Sequence, residues 1–207
     1  MLKTDRGLLI VLSGPSGAGK GTVRSGLREI VAINYSVSAT TRAPRPGETE
    51  GEDYFFMSSA EFEKMISENE FLEWAKVYDN YYGTPAKFVE KLLREGQDCI
   101  LEIDTQGAEQ IKKNMPGAVM IFIAPPSLFE LEQRILRRGT ESSKEIKIRM
   151  SCAKKEMECV TNYDYIVVNE EVESSVKKVL SIINAEKCSV RRILEDIRGN
   201  ENDRTID

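Results

Sequence analysis

Gly14-Pro15-Ser16-Gly17-Ala18-Gly19-Lys20-Gly21-Thr22 follows the apolar run Leu8-Leu9-Ile10-Val11-Leu12. The run reads as a buried strand, the glycines as a tight loop, and the residues from Lys20 to about Val31 as a helix. In that setting a G-x-x-x-x-G-K spacing describes a phosphate cradle. Glycines let the backbone turn successive N–H groups inward around an anion. The following helix adds the partial positive charge of its N-terminus. Lys20 brings a mobile point charge to β- and γ-phosphates. The stretch therefore predicts a nucleoside triphosphate site and an α/β fold that begins strand, loop, helix. A glycine loop matching by chance is the bland alternative, and the strand before and helix after argue against it.

One position departs from the usual pattern. The hydroxyl that normally follows the lysine holds Mg²⁺. Gly21 stands there, and Thr22 comes one place later. Either Thr22 holds the metal or the metal is held through water, and the sequence leaves both open.

The 207 residues suit one or two domains with a substantial core. With 41% hydrophobic and 30% charged residues, the composition is that of a water-soluble globular chain. No apolar run approaches the ~20 residues that a membrane helix needs. Met1 to Arg6 contains an acid and leads into a run too short for an export signal, so a cytoplasmic location is expected. A net charge of −5 argues against a broad nucleic-acid surface. Cys99, Cys152, Cys159 and Cys188 show no C-x-x-C spacing, which argues against a zinc site or a disulfide framework. The chain has no histidine. That removes the usual general base and the commonest metal ligand. Phosphoryl transfer fits such a chain, since it needs positioning and charge neutralisation above all.

Beyond the first helix, Tyr35 to Ala39 alternates like a short strand. Thr40 to Asp53, with Pro44, Pro46, Gly47 and Gly51, reads as a surface loop. Asp53 to Met57 predicts a strand, and Ser58 or Ser59 caps a helix from Ala60 to Asn69. Phe71–Tyr78 and Tyr81-Tyr82 read as a strand pair, and Pro85 opens a helix that stops at Gly96. Strand and helix then alternate: Cys99–Asp104, Gln106–Asn114, Ala118–Ile123, Ser127–Arg138, Ser142 to about Cys159, and Tyr165–Val168. Glu171 to about Ile197 predicts a long helix or a helix pair. Such alternation gives a parallel sheet with helices on both sides. The stretch from about Asn34 to Gly83 breaks the rhythm and reads as an inserted lobe beside the switch point of the sheet.

Several further segments occur in a telling order: Ser38-Ala39-Thr40-Thr41-Arg42-Ala43-Pro44-Arg45-Pro46-Gly47, Gly51-Glu52-Asp53-Tyr54-Phe55, and Phe71-Leu72-Glu73-Trp74-Ala75. Tyr81-Tyr82-Gly83-Thr84, Glu102-Ile103-Asp104-Thr105-Gln106-Gly107 and Arg138-Gly139-Thr140-Glu141 complete the set. Together with the phosphate loop, this ordered set resembles the guanylate kinases from about Gly7 to Asn169. The resemblance implies a three-layer P-loop kinase core with a parallel sheet, an inserted mixed α/β GMP-binding lobe and a helical lid. It divides the chain into a core of 1–33, 85–125 and 160–207, a lobe of 34–84, and lid helices of 126–159. It implies transfer of the ATP γ-phosphoryl to GMP with Mg²⁺. ATP and GMP are then the partners, with neither nucleic acid nor membrane and the oligomeric state open.

The site residues can be weighed in the same frame. Arg42 and Arg45, three apart in a proline-stiffened loop, suit a phosphate dianion gripped by forked bonds, though exposed arginines in a polar loop are common. The resemblance implies that they hold the GMP phosphate with Ser38, Tyr54 and Tyr82. Glu73 beside Trp74 is a carboxylate in an apolar strand, costly unless donors reach it. Guanine offers N1–H and a 2-amino group on one edge, and a single carboxylate can accept both. Alternation alone leaves an exposed strand face equally open. The resemblance makes Glu73 the guanine reader, helped by Thr84 and Asp104. Glu102 and Asp104, two apart, share one face near the carboxyl end of a strand, where acids meet a P-loop metal or a substrate base in such sheets; at Glu102 the guanylate kinases often show Asp instead. Glu102 thus joins Thr22 as a candidate toward Mg²⁺, directly or through a water that its longer side chain could reach. Arg134, Arg138 and Arg149 are implied to approach the transferring phosphoryl group when the lid closes, the alternative being a solvated basic helix face. Asn169 resembles an adenine-side asparagine. Two rivals remain: a protein-binding module on the same fold, and a kinase with another acceptor. The intact loop speaks against the first, and the Glu73–Thr84 pair against the second.

Overall fold

Leu9–Ser13 forms β1, buried along its whole length because the strand lies at the centre of the molecule. The computed structural model describes residues 6–77, 79–137, 143–192 and 194. After the phosphate loop, Lys20–Ile30 forms α1. The single strand expected at Tyr35–Ala39 is instead two. Asn34–Tyr35 (β2) and Ser38–Thr40 (β3) belong to different sheets. The Ser36 N–H still bonds the Ile100 carbonyl at 3.1 Å, whereas Ser38 already pairs with Tyr54. Period-two alternation carries no information about which partner strand a residue meets, so the crossing was invisible in the sequence.

Next come β4 (Tyr54–Phe56) and α2 (Ser59–Ser67). Ser58 caps α2 in a capping box with Glu61, each side chain bonding the other's backbone N–H. β5 (Phe71–Val77) and β6 (Asn80–Pro85) form the expected antiparallel pair, and α3 is Ala86–Arg94. β7 (Cys99–Glu102), α4 (Thr105–Asn114), β8 (Val119–Ala124) and α5 (Leu128–Arg137) follow. Then come α6 (Ser143–Glu158), β9 (Tyr165–Val168) and α7 (Val172–Lys187). α7 is capped at Cys188, short of Ile197, and the chain is helical again from 190, which favours a helix pair. The expected ends at Tyr78, Ser142 and Ile197 lie outside the described residues.

Five strands make one all-parallel sheet in the order β2-β7-β1-β8-β9. Alternate residues of its central strand face opposite ways. Leu8, Ile10 and Leu12 pack with Val23 and Leu27 of α1 and Val176, Val179 and Ile183 of α7. Leu9 and Val11 pack with Val89, Leu92 and Leu93 of α3 and Ala108 and Ile111 of α4. The sheet is thus covered on both faces, giving three layers. The loops leaving β1, β7, β8 and β9 emerge at one edge, with β1 in the middle, which is where α/β sheets place ligands.

A second, mixed sheet runs β4-β3-β6-β5. Behind it, Phe62 of α2 stacks on Phe71 and Tyr81 at ring separations of 4.3 and 5.2 Å. Its edge strand β5 is fastened to the core by α4. The Gln110 side chain accepts from the Trp74 N–H and donates to the Trp74 carbonyl, and Asn114 donates to the Leu72 carbonyl.

Candidate active site

The loop between β1 and α1 is held from below. Asn169, at the end of β9 and 3% exposed, donates its amide to the Ala18 carbonyl at 2.8 Å and accepts from the Ser175 hydroxyl at 2.9 Å. Gly19 has φ +92°, and a Cβ there would lie 2.3 Å from the Asn169 amide nitrogen. Only glycine allows both the left-handed turn and this approach. Arg134 of α5 reaches the same place, donating to the Asn169 carbonyl at 2.9 Å and to the Ala18 carbonyl at 3.4 Å. Lys20 curls over its own loop, its ammonium donating to the Gly14 and Pro15 carbonyls at 2.5 and 3.2 Å. The Thr22 hydroxyl donates to the Gly19 carbonyl at 2.7 Å.

Two carboxylates stand beside this cradle. Glu102 ends β7, pairs with Arg24 at 3.3 Å, and lies 3.5 Å from where a Cβ of Gly21 would be. Glu156 of α6 has its carboxyl pushed up mainly by burial, opposed by the nearby Lys20 charge and a hydrogen bond from the Ser16 backbone. Among the described residues, no three His, Cys, Asp or Glu side chains converge as a metal cage. One hydroxyl and one carboxylate beside a phosphate cradle nevertheless suit Mg²⁺, which keeps waters and takes most other ligands from substrate phosphates.

The second sheet presents the remaining candidates on one face. Ser38 is paired with Tyr54, and Glu73 with Thr84. The antiparallel register of β3 on β6, Ala39 with Gly83 and Thr40 with Tyr82, continues to bring Ser38 opposite Thr84. Cross-strand partners share a face, so Tyr54, Ser38, Thr84 and Glu73 form a row across the sheet, with Tyr82 in the next row. The Tyr54 and Tyr82 rings are 6.1 Å apart, and the Arg42 guanidinium lies over Tyr54 at 5.5 Å. Arg42 grips the Glu48 carboxylate with a forked pair at 2.8 and 2.9 Å, and Glu48 also accepts from the Arg45 N–H. Glu48 escaped the sequence reading because no periodicity marks a contact made inside a loop. The Arg45 side chain is exposed.

Glu73 is 5% exposed. An extra residue in β5 between Phe71 and Glu73 shifts the register, so Leu72 and Glu73 are buried in succession. That settles the choice which alternation left open. The Thr84 hydroxyl donates to Glu73 Oε1 at 2.6 Å. Burial, and to a lesser extent the neighbouring Asp104, raise the Glu73 carboxyl to about 7 against the Thr84 hydrogen bonds. Asp104 differs from expectation in one respect. β7 stops at Glu102, and Asp104 lies off the strand as the N-cap of α4, accepting from the Gly107 N–H at 2.8 Å. An Asp just ahead of a helix satisfies an otherwise unpaired amide. Ile103 alone separates Glu102 at the cradle from Asp104 beside Glu73, so the two regions adjoin.

A family model described as guanylate kinase matches residues 6–186. The chain belongs to the guanylate kinase family. It is accordingly a nucleoside monophosphate kinase, an ATP:GMP phosphotransferase. Among its relatives, the guanylate kinase of Caldanaerobacter subterraneus is 55% identical over 188 residues, covering 90% of this chain and 91% of that one. That of Desulfitobacterium hafniense is 53% identical, covering 92% and 96%. The crystal structure of guanylate kinase from Anaplasma phagocytophilum superposes with a TM-score of 0.77 at 39% identity, covering 93% and 92% of the two chains. This likeness bears out the expected P-loop kinase architecture. Among the described residues, no helix is long and apolar enough to cross a membrane. Of the arginines that the guanylate kinase resemblance assigned to the lid, Arg134 is turned toward the loop carbonyls, Arg149 is half-buried on α6, and Arg138 lies outside the described residues.

Proposed function

We propose that this chain transfers the γ-phosphoryl group of Mg-ATP to GMP and dGMP, giving ADP and the guanosine or deoxyguanosine diphosphate. The observation that carries this reading is the buried Glu73 carboxylate, set in a row with Thr84, Ser38 and Tyr54 on one sheet face next to the phosphate cradle. The loop amides of residues 14–22 and Lys20 hold the ATP phosphates. Arg42, Arg45, Ser38, Tyr54 and Tyr82 hold the phosphate of GMP, which takes over the Arg42 fork now filled by Glu48. Glu73, Thr84 and Asp104 read the guanine edge. The acceptor lobe begins after Tyr35, since β2 pairs within the core sheet.

The acceptor oxygen belongs to a phosphate already ionised at neutral pH, so no general base is needed and the lack of histidine is no obstacle. It attacks the γ-phosphorus as the bond to the β,γ-bridging oxygen breaks, and ADP leaves with that electron pair. Arg134, Arg138 and Arg149 stabilise the charge spreading over the transferring group, and lid closure keeps water from taking the acceptor's place. Thr22 and Glu102 would hold Mg²⁺, directly or through water. The ion supplies neutralisation of phosphate charge when bound.

The test is transfer from ATP, with and without Mg²⁺, to GMP, dGMP, AMP, UMP and CMP. Turnover is expected with GMP and dGMP only, and only with the metal. Glu73→Gln should lower kcat/KM for GMP by about 100-fold and leave the KM for ATP in place. Equal losses for both substrates would overturn the role given to Glu73.

A further inference from the structure

We propose that Gly107 is a specificity-positioning residue, its missing side chain forming the seat that sets the position of the Glu73 carboxylate. The inference rests on the reading that Glu73 recognises guanine. Gly107 is buried in the first turn of α4, and a Cβ there would lie 2.4 Å from Glu73 Oε2 and 3.0 Å from Glu73 Cδ. Contacts below about 3 Å do not survive between a carboxylate and a methyl group. The backbone of Gly107 does not itself call for glycine, because its φ is not among the positive values. Inside a helix, glycine costs about 1 kcal/mol relative to alanine. The residue is therefore there for space, not for conformation.

Glu73 has no room to step aside. Its Oε1 is held by the buried Thr84 hydroxyl at 2.6 Å. The backbone on either side of it is pinned by α4: Leu72 by Asn114, and Trp74 by both ends of the Gln110 amide. Positions 107, 110 and 114 fall on one face of the helix. The same face that fixes residues 72 and 74 is thus hollow where the side chain of 73 arrives. The helix makes no use of this carboxylate as a cap, since the Gly107 N–H is already given to Asp104 at 2.8 Å. A carboxylate accepts up to about four hydrogen bonds. Thr84 takes two, through its hydroxyl and its backbone N–H, which leaves acceptor capacity for the two donors of guanine. Any side chain at 107 would move that capacity out of register.

The experiment is a double-mutant cycle of Gly107→Ala and Glu73→Asp, read with GMP and with inosine monophosphate, which lacks the 2-amino donor. Gly107→Ala is expected to lower the preference for GMP over inosine monophosphate about tenfold or more, with the KM for ATP unmoved. It should also lower Tm in the parent but not in the Glu73→Asp background, where the shorter acid vacates the space. If Gly107→Ala alone fails to fold, the double variant decides. Its folding places the clash at Glu73, and its failure overturns the proposal, as does additivity of the two substitutions in Tm. Glu73→Gln separates the two levels. If it abolishes the preference while Gly107→Ala keeps it, the seat is wrong and the guanine reader stands. If Glu73→Gln keeps the preference, both fall.

Discussion

On the proposed reading, Glu73 ties recognition to proton concentration. Guanine offers donors, so the carboxylate must be ionised to accept them, and burial raises its carboxyl to about 7. The KM for GMP should therefore rise as pH falls through about 7, while the KM for ATP changes little; a pH profile of both constants checks this. The sign for stability is the reverse of the usual acid. A folded-state value raised above the unfolded 4.5 contributes nothing unfavourable below pH 4.5, and stability is lost as pH climbs from there to about 7. Keeping that buried carboxylate ionised costs the folded protein about 3 kcal/mol. Glu73→Gln should raise Tm relative to the parent at pH 8 and have a much smaller effect at pH 5, measured calorimetrically. The residue itself was legible through its apolar flanks and its place in the ordered segments. Its burial was not, because one extra residue at Leu72 breaks the alternation from which burial is read.

Among the elements, the phosphate loop shows how a local signal is completed from a distance. Strand, glycine turn and helix all follow from fifteen or so consecutive letters. What holds the turn is Asn169, 151 positions from Ala18 in the chain, together with Arg134. Asn169→Ala should leave the Ser175 hydroxyl without its acceptor and the Ala18 carbonyl with the longer Arg134 bond alone, at a cost of about 1–3 kcal/mol. The expected result is a lower urea midpoint and a raised KM for ATP, with the KM for GMP nearly unchanged. Equal changes in both KM values would place Asn169 in the general core instead. The structure also gives this asparagine and Arg134 a positioning contact that the resemblance did not imply.

For the whole molecule, the decisive feature is two sheets joined through α4 and through Leu72 of β5. The parallel sheet is buried between α1 and α7 on one face and α3 and α4 on the other. The second sheet packs on α2 through the aromatic stack around Phe62, which is fully buried, while Leu72 of its edge strand joins the core beside α3 and α4. Phe62→Ala should cost about 3–5 kcal/mol. Because that stack underlies the second sheet, where the proposed reading seats GMP, GMP binding should fail at temperatures where ATP binding persists, as titration calorimetry with each nucleotide would show. Simultaneous loss of both would mean that the sheets unfold as one unit.

The sequence by itself determined the cradle, the alternating α/β core and the identity of most candidate side chains. Those properties reside in short-range spacing: glycine turns, apolar periods and residue types that carry particular chemistry. The tertiary structure alone decided that Tyr35 and Ser38 belong to different sheets, that Glu48 fills the Arg42 fork, that Asp104 caps α4, and that Gly107 and Glu73 share one space. Each of these depends on which distant segment lies alongside, and chain periodicity holds no record of a partner that arrives only on folding.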